Sequence, residues 1–221
     1  GPKIMISAHS DEIGAIVKSI DAEGFLRFDT LGGVIPSMLL GRRVRVKGRL
    51  GVIGVKSGHL QTSEEQSKVL PADELYVDVG ANNAEEVDEM GIGVGDPIAY
   101  YSPLLRYEND DRVCGKSIDN RIGCAILLEL FRQLQDAPLT CTLQGVVCVQ
   151  EEIGFRGAGV AAYTAQPDCA VVVDTFMAGG TPDVDYYQGL PAHIGEGPIL
   201  LLANSAQIGH PAMNAHLRRA A

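Results

Sequence analysis

The chain has 221 residues, 46% of them hydrophobic and 21% charged, with a formal net charge of −10. That length suits one large domain or two small ones, and so acidic a surface repels phosphate backbones and argues against nucleic-acid binding. No apolar run approaches the roughly 20 residues that cross a bilayer, so no membrane partner is expected. The first residue is Gly1, not Met, which makes the absence of a leader uninformative.

Residues 3–8, KIMISA, read as a short buried strand that ends at His9. From there to about residue 112 the texture is that of a β-rich domain. GAIVKSI, FLRFDTL, RRVRVKGRLGVIGVKS and ELYVDVG are short β-branched runs punctuated by Gly, Pro and Asp. One helix interrupts them: Asn83 caps it, acidic residues fill its first turn and Gly91 stops it. Arg43, Arg45, Lys47 and Arg49 alternate along the strands and read as a solvated face.

After residue 112 the period changes. Residues 118–134 place Ile122, Ala125, Ile126, Leu130 and Leu134 at helical spacing. TLQGVVCVQ then reads as a strand, GFRGAGVAAYTAQ as a Gly/Ala-rich helix, CAVVVDT and GPILLLAN as further strands, and residues 210–221 as a helix. Strands with near-continuous apolar runs, alternating with helices, indicate a mostly parallel sheet in an α/β layer. KIMISA looks like one more strand of that sheet. The predicted organisation is therefore a discontinuous α/β domain, residues 1–13 and 112–221, interrupted by a β-rich, barrel-like insertion over residues 14–111. Five cysteines, at 114, 124, 141, 148 and 169, form no CxxC and fit free thiols in a reducing cytoplasm.

The chemistry lies at the strand ends. KIMISA runs into His9-Ser10-Asp11, VCGKS leads to Asp119-Asn120-Arg121, LQGVVCVQ ends in Glu151-Glu152, and CAVVVD ends in Asp174. Open α/β sheets bind ligands beyond the carboxyl ends of their strands. Several acids crowded at the rim of a dry core need a cation or protons to balance them. One His with several carboxylates suits divalent zinc, cobalt or manganese. Asp11, two residues after His9, can take the other imidazole N–H and fix the tautomer. Glu151 and Glu152, in extended geometry, point oppositely, so that one binds metal and the other faces water as general base.

The stretches AHSDEIG, GKSIDNRIG, QEEIGFRGA, VVDTFMAGGTP and GPILLLANSAQIGHP, in this order and spacing, resemble the M42 family of metallo-aminopeptidases. That group includes glutamyl, deblocking and tetrahedral aminopeptidases, some of them labelled cellulase or endoglucanase. The resemblance implies a phosphorylase/hydrolase-like α/β sheet with an inserted β-rich dimerisation domain. It implies two divalent ions, zinc or cobalt. His9 and Asp174 would bind one ion, Asp119 would bridge both through a residue followed by a cis peptide, and Glu152 would bind the other. Glu151 would be general base and Asp11 would orient His9. The substrate would be a peptide, trimmed at its N-terminus by a two-metal-activated water, in a cytoplasmic homo-oligomer, either a dimer or a dodecamer.

Two departures from the family stand out. Ser10 and Asn120 occupy variable positions that are not ligands. The chain also looks truncated at both ends: relatives begin earlier and continue past residue 221, and none of His193, His210 or His216 matches the last His ligand. Weak or no activity is expected of residues 1–221 by themselves. The alternatives are a truncated, non-catalytic assembly subunit and a glycoside hydrolase, which also works with two carboxylates.

Overall fold

A computed structural model describes residues 1–108, 111–182, 190 and 192–221. The chain forms two compact units, Gly1–Asp174 and Thr175–Ala221.

In the first unit, β1 (Lys3–His9) is followed by six strands: β2 (Gly14–Ile20), β3 (Leu26–Leu31), β4 (Arg43–Val46), β5 (Arg49–Gly54), β6 (Tyr76–Asp78) and β7 (Pro97–Tyr100). These six close a barrel in the order β2-β3-β6-β5-β4-β7. Period-2 patterning drives the closure. Val44 and Val46 point into the core while Arg43 and Arg45 face solvent. Lys47 (φ 49°) and Gly48 (φ 79°) are both left-handed, which suits the two-residue turn that joins β4 to β5. Val17, Leu26, Phe28, Ile53, Val77 and Ile98 fill the interior. The exposed arginines fit the solvated face expected, and Arg43 and Arg45 both lie over the Tyr101 ring.

Two short helices decorate the barrel. The Thr62 hydroxyl caps α1 (Ser63–Ser67) in a reciprocal capping box with Glu65. Asn83 caps α2 (Ala84–Glu89) by accepting from Glu86 N, and Gly91 (φ 77°) follows its end, as the sequence predicts.

Beyond the barrel come the paired strands β8 (Leu105–Arg106) and β9 (Val113–Cys114), then helix α3 (Ile118–Gln133), β10 (Thr142–Cys148), α4 (Arg156–Ala165) and β11 (Cys169–Val172). β1 lies between β10 and β11, parallel to both. The strand that precedes the barrel thus pairs with strands that follow it.

Helix α3 differs from expectation in the face it buries. Asn120, Gly123 and Leu127 are buried, whereas Ile122 and Ile126 are about half exposed, at 48% and 49%. Close approach to β1 decides this. A Cβ on Gly123 would lie 3.0 Å from Ala8 Cβ, so the helix turns its smallest residue to the strand.

The second unit holds α5 (Pro211–Ala220), the helix expected from residue 210 onward. GPILLLAN, predicted as a strand, makes among the described residues an isolated bridge, Ala203–Ile208, and no named strand. Among the described residues, no helix is long and apolar enough to cross a membrane.

Candidate metal centre

Parallel register brings the strand ends level. His9 pairs with Cys148 across to β10, and Ser7 with Val172 across to β11. Two residues further along β11's course, Asp174 comes level with His9. The chain leaves β10 through Gln150 (φ 57°) into a turn in which the Glu151 carbonyl accepts from Gly154 N and Phe155 N, both at 3.0 Å.

That turn alters one expectation. Glu151 and Glu152 do not point oppositely, because the strand has ended. A carboxylate oxygen from each, with a nitrogen of His9, forms a group whose atoms all lie within 4.8 Å of one another. His9, Asp119 and Asp174 form a second such group. Asp119 reaches it from the first turn of α3, where its own φ/ψ are non-helical and its peptide to Asn120 is cis.

His9 is the hub. Its side chain is 3% exposed, and Nε2 lies 3.1 Å from Asp119 Oδ1, 3.6 Å from Glu151 Oε2 and 3.6 Å from Asp174 Oδ1. Nδ1 faces the Asp11 carbonyl at 3.2 Å and Asp11 Oδ1 at 3.4 Å. Nδ1 is therefore the protonated nitrogen of the neutral ring, and the Nε2 lone pair confronts three carboxylates. Lone pairs gathered in this way repel unless a cation or a proton stands among them. Imidazole and carboxylate oxygen are the donors that divalent zinc or cobalt takes, so the residues present fit a metal ion. Asp11 also accepts from Glu152 N through Oδ2 at 3.2 Å, tying the two strand ends together.

Burial pushes the His9 imidazole down, but Glu151, Asp174, Asp119 and Asp11 outweigh it and hold the pKa above its ordinary value. Burial pushes Glu151 and Glu152 up, and the neighbouring carboxylates add to the shift. In all three groups the folded state holds its protons more tightly than the unfolded state does. His9 therefore stabilises below its unfolded pKa, and that contribution is lost as pH rises through its folded value. The two glutamates begin to destabilise as pH rises past their unfolded pKa. With chelator present, the melting temperature is expected to fall from pH 5 to pH 8, and the rise produced by added Co²⁺ to grow over the same range. Thermal unfolding checks this, and a chelated melting temperature that climbs with pH contradicts it.

Sequence reasoning gave no role to several supporting residues. Asn120, fully buried, donates from Nδ2 to Val173 O at 2.8 Å and accepts from Gly123 N at 3.1 Å, holding the start of α3 to the end of β11. Cys124 Sγ donates to His9 O at 3.2 Å. From the barrel, Gly32 abuts the Glu151–Glu152 turn: a Cβ there would lie 2.8 Å from Ile13 Cγ2 and 3.2 Å from Glu152 Cβ. Gly48 shares its φ of +79° but has nothing within 4 Å. Alanine at either position is expected to cost about 1–2 kcal/mol for its left-handed backbone. Only Gly32→Ala should also weaken Co²⁺ binding, because only there does the new methyl press on Glu152. Equal affinities in the two variants would contradict that contact's importance.

The chain matches the M42 glutamyl aminopeptidase family over residues 1–221. It belongs to that family. The M42 chain is 39% identical over 209 residues to the putative aminopeptidase FrvX of Escherichia coli (strain K12), covering 91% of this chain and 57% of that one. The structure resembles that of a TET aminopeptidase from the marine sediment archaeon Thaumarchaeota archaeon SCGC AB-539-E09. The TM-score is 0.93 at 36% identity, over 99% of this chain and 62% of the other. It also resembles the Pyrococcus horikoshii TET1 peptidase, which can assemble into a tetrahedron or a large octahedral shell. There the TM-score is 0.73 at 32% identity, over 83% of this chain and 57% of the other. The M42 chain thus spans about three fifths of the length of these relatives. Its barrel and mixed α/β architecture are those of the solved M42 aminopeptidases.

Proposed function

We propose that the protein is a metal-dependent aminopeptidase that removes N-terminal residues from peptides. The observation that carries this is the convergence on His9 Nε2 of carboxylates from three other segments: Asp119 at 3.1 Å, and Glu151 and Asp174 at 3.6 Å. Family membership supports the reaction class.

His9, Asp119 and Asp174 would hold one divalent ion, zinc or cobalt, and Asp119 with Glu152 a second. When bound, the ions supply Lewis acidity to the scissile carbonyl and lower the pKa of a water. Glu151 takes the proton of the attacking water and delivers it to the leaving amine. Asp11 keeps the His9 proton on Nδ1, so that Nε2 stays a ligand. The free α-amine of a substrate would bind at one of these ions, which would favour cleavage at the chain end over the interior.

Residues 1–13 and 112–221 would form the catalytic domain, and residues 14–111 an inserted barrel for self-association. The assembling TET1 relative supports a homo-oligomer, and the free cysteines support a cytoplasmic location.

The test begins with Co²⁺ titration by calorimetry, which reads the metal centre directly. Binding is expected, abolished by His9→Ala. A panel of aminoacyl-nitroanilides follows, and any hydrolysis should vanish with chelator and return with Co²⁺. Absence of metal binding, or hydrolysis indifferent to chelator, would overturn the proposal.

A further inference from the structure

Glu12 follows Asp11 in the turn after β1, and both of its carboxylate oxygens are engaged across the length of the barrel insertion. Oε1 accepts from Lys116 Nζ at 2.6 Å, and Oε2 accepts from the Ser117 hydroxyl. Lys116 Nζ also donates to Ser117 Oγ at 3.1 Å, closing a three-membered network. The partners are 104 and 105 residues away in sequence. Glu12 is 17% exposed and Lys116 30%, so the pair is partly shielded from solvent.

Ser117 occupies the residue before α3, where a serine ordinarily caps the helix by accepting from a backbone N–H of the first turn. Here its side chain makes no capping bond, and its backbone is left-handed (φ 58°, ψ 13°). The hydroxyl is turned to Glu12 instead. Two residues later stands Asp119, whose carboxylate faces His9 at 3.1 Å. Two further contacts run the same way: Arg121 Nε donates to Ser10 O and Cys124 Sγ to His9 O, both at 3.2 Å. The Glu12–Lys116 contact joins the two segments through an ion pair as well.

We infer that Glu12 is a positioning residue for the metal centre: through Lys116 and Ser117 it fixes the chain that presents Asp119 to His9. This rests on the proposed metal site. Its role is distinct from that of the ligands, since its carboxylate is engaged by Lys116 and Ser117.

Glu12→Gln keeps the side chain's shape but offers an amide N–H₂ where one of the two donors requires an acceptor. Co²⁺ affinity, measured by titration calorimetry, is expected to fall several-fold, less than the roughly 10–100-fold usual for loss of a direct outer partner of a metal ligand. Ser117→Ala removes one arm of the clamp and should cost less. The double variant should bind Co²⁺ no more weakly than Glu12→Gln alone, because both changes break one linkage. Unchanged Co²⁺ affinity in Glu12→Gln, even with a lowered melting temperature, would reduce Glu12 to a structural ion pair and overturn the inference. So would additive losses in the double variant. Should Glu12→Gln fail to fold, Ser117→Ala alone decides: affinity equal to wild type overturns the inference. His9→Ala serves as reference. If it too leaves Co²⁺ binding intact, the metal site itself is wrong, whereas its loss of binding beside an unaffected Glu12→Gln refutes only the positioning role.

Discussion

Glu151→Gln is expected to lower turnover about 10²–10⁴-fold while Co²⁺ binding persists. The amide matches the carboxylate in size and can remain 3.6 Å from His9 Nε2, yet it cannot accept a proton from water. The position suits a base. The Glu151 side chain is 22% exposed, so water can reach it, and burial beside other carboxylates raises its proton affinity above that of an ordinary glutamate. A base of raised pKa can both take a proton near neutral pH and release it to a leaving amine. The loss should appear in the turnover number with little change in KM, since Glu151 acts on the reacting atoms and is not needed to seat the substrate. Steady-state kinetics alongside metal content per chain measures both halves. Unchanged turnover would remove Glu151 from the role and shift attention to Glu152. The two share one turn and one group of potential ligand atoms around His9. For Glu152→Gln the opposite pattern is expected, in which metal binding suffers first.

The two glutamates show where sequence reasoning stops: extended geometry predicts that they point oppositely, whereas the turn brings an oxygen of each close to His9. Strands and their polar ends were legible, because the apolar run CAVVV followed by Asp174 marks a strand end, but the burial expected of that strand was not, since Val172 is 64% exposed. The Asn83 cap and the Gly91 stop were legible too, since each is fixed by neighbours in the chain. What escaped depends on partners far away. Glu12 reads as one more acid until Lys116 and Ser117 come within reach of it. The buried face of α3 was misassigned because hydrophobicity selects Ile122 and Ile126, while contact with β1 selects the smallest residue, Gly123. GPILLLAN carries the composition of a strand, but a strand is a property of two segments. The turn that aims both Glu151 and Glu152 at His9 hinges on a left-handed Gln150, a residue type that gives no warning of that conformation.

His9→Ala is expected to abolish measurable Co²⁺ binding, a larger effect than any single carboxylate substitution. His9 belongs to both groups of potential ligand atoms, so removing it strips a donor from each. It is also the only nitrogen donor in either group, and imidazole binds cobalt and zinc more firmly than the carboxylates that would remain. The loss should therefore exceed the roughly 10–100-fold that follows removal of an outer partner. The same change has a second consequence without metal. The imidazole lowers the proton affinity of Glu151 and Glu152, opposing the neighbouring carboxylates that raise it. With the imidazole gone, the acids repel one another unopposed, and chelated His9→Ala should melt below wild type. Calorimetric titration reads the first effect, and thermal unfolding with chelator reads the second. Co²⁺ binding within tenfold of wild type would mean that the carboxylates hold the ion without the imidazole, and His9 would then be a buried structural histidine held by Asp11.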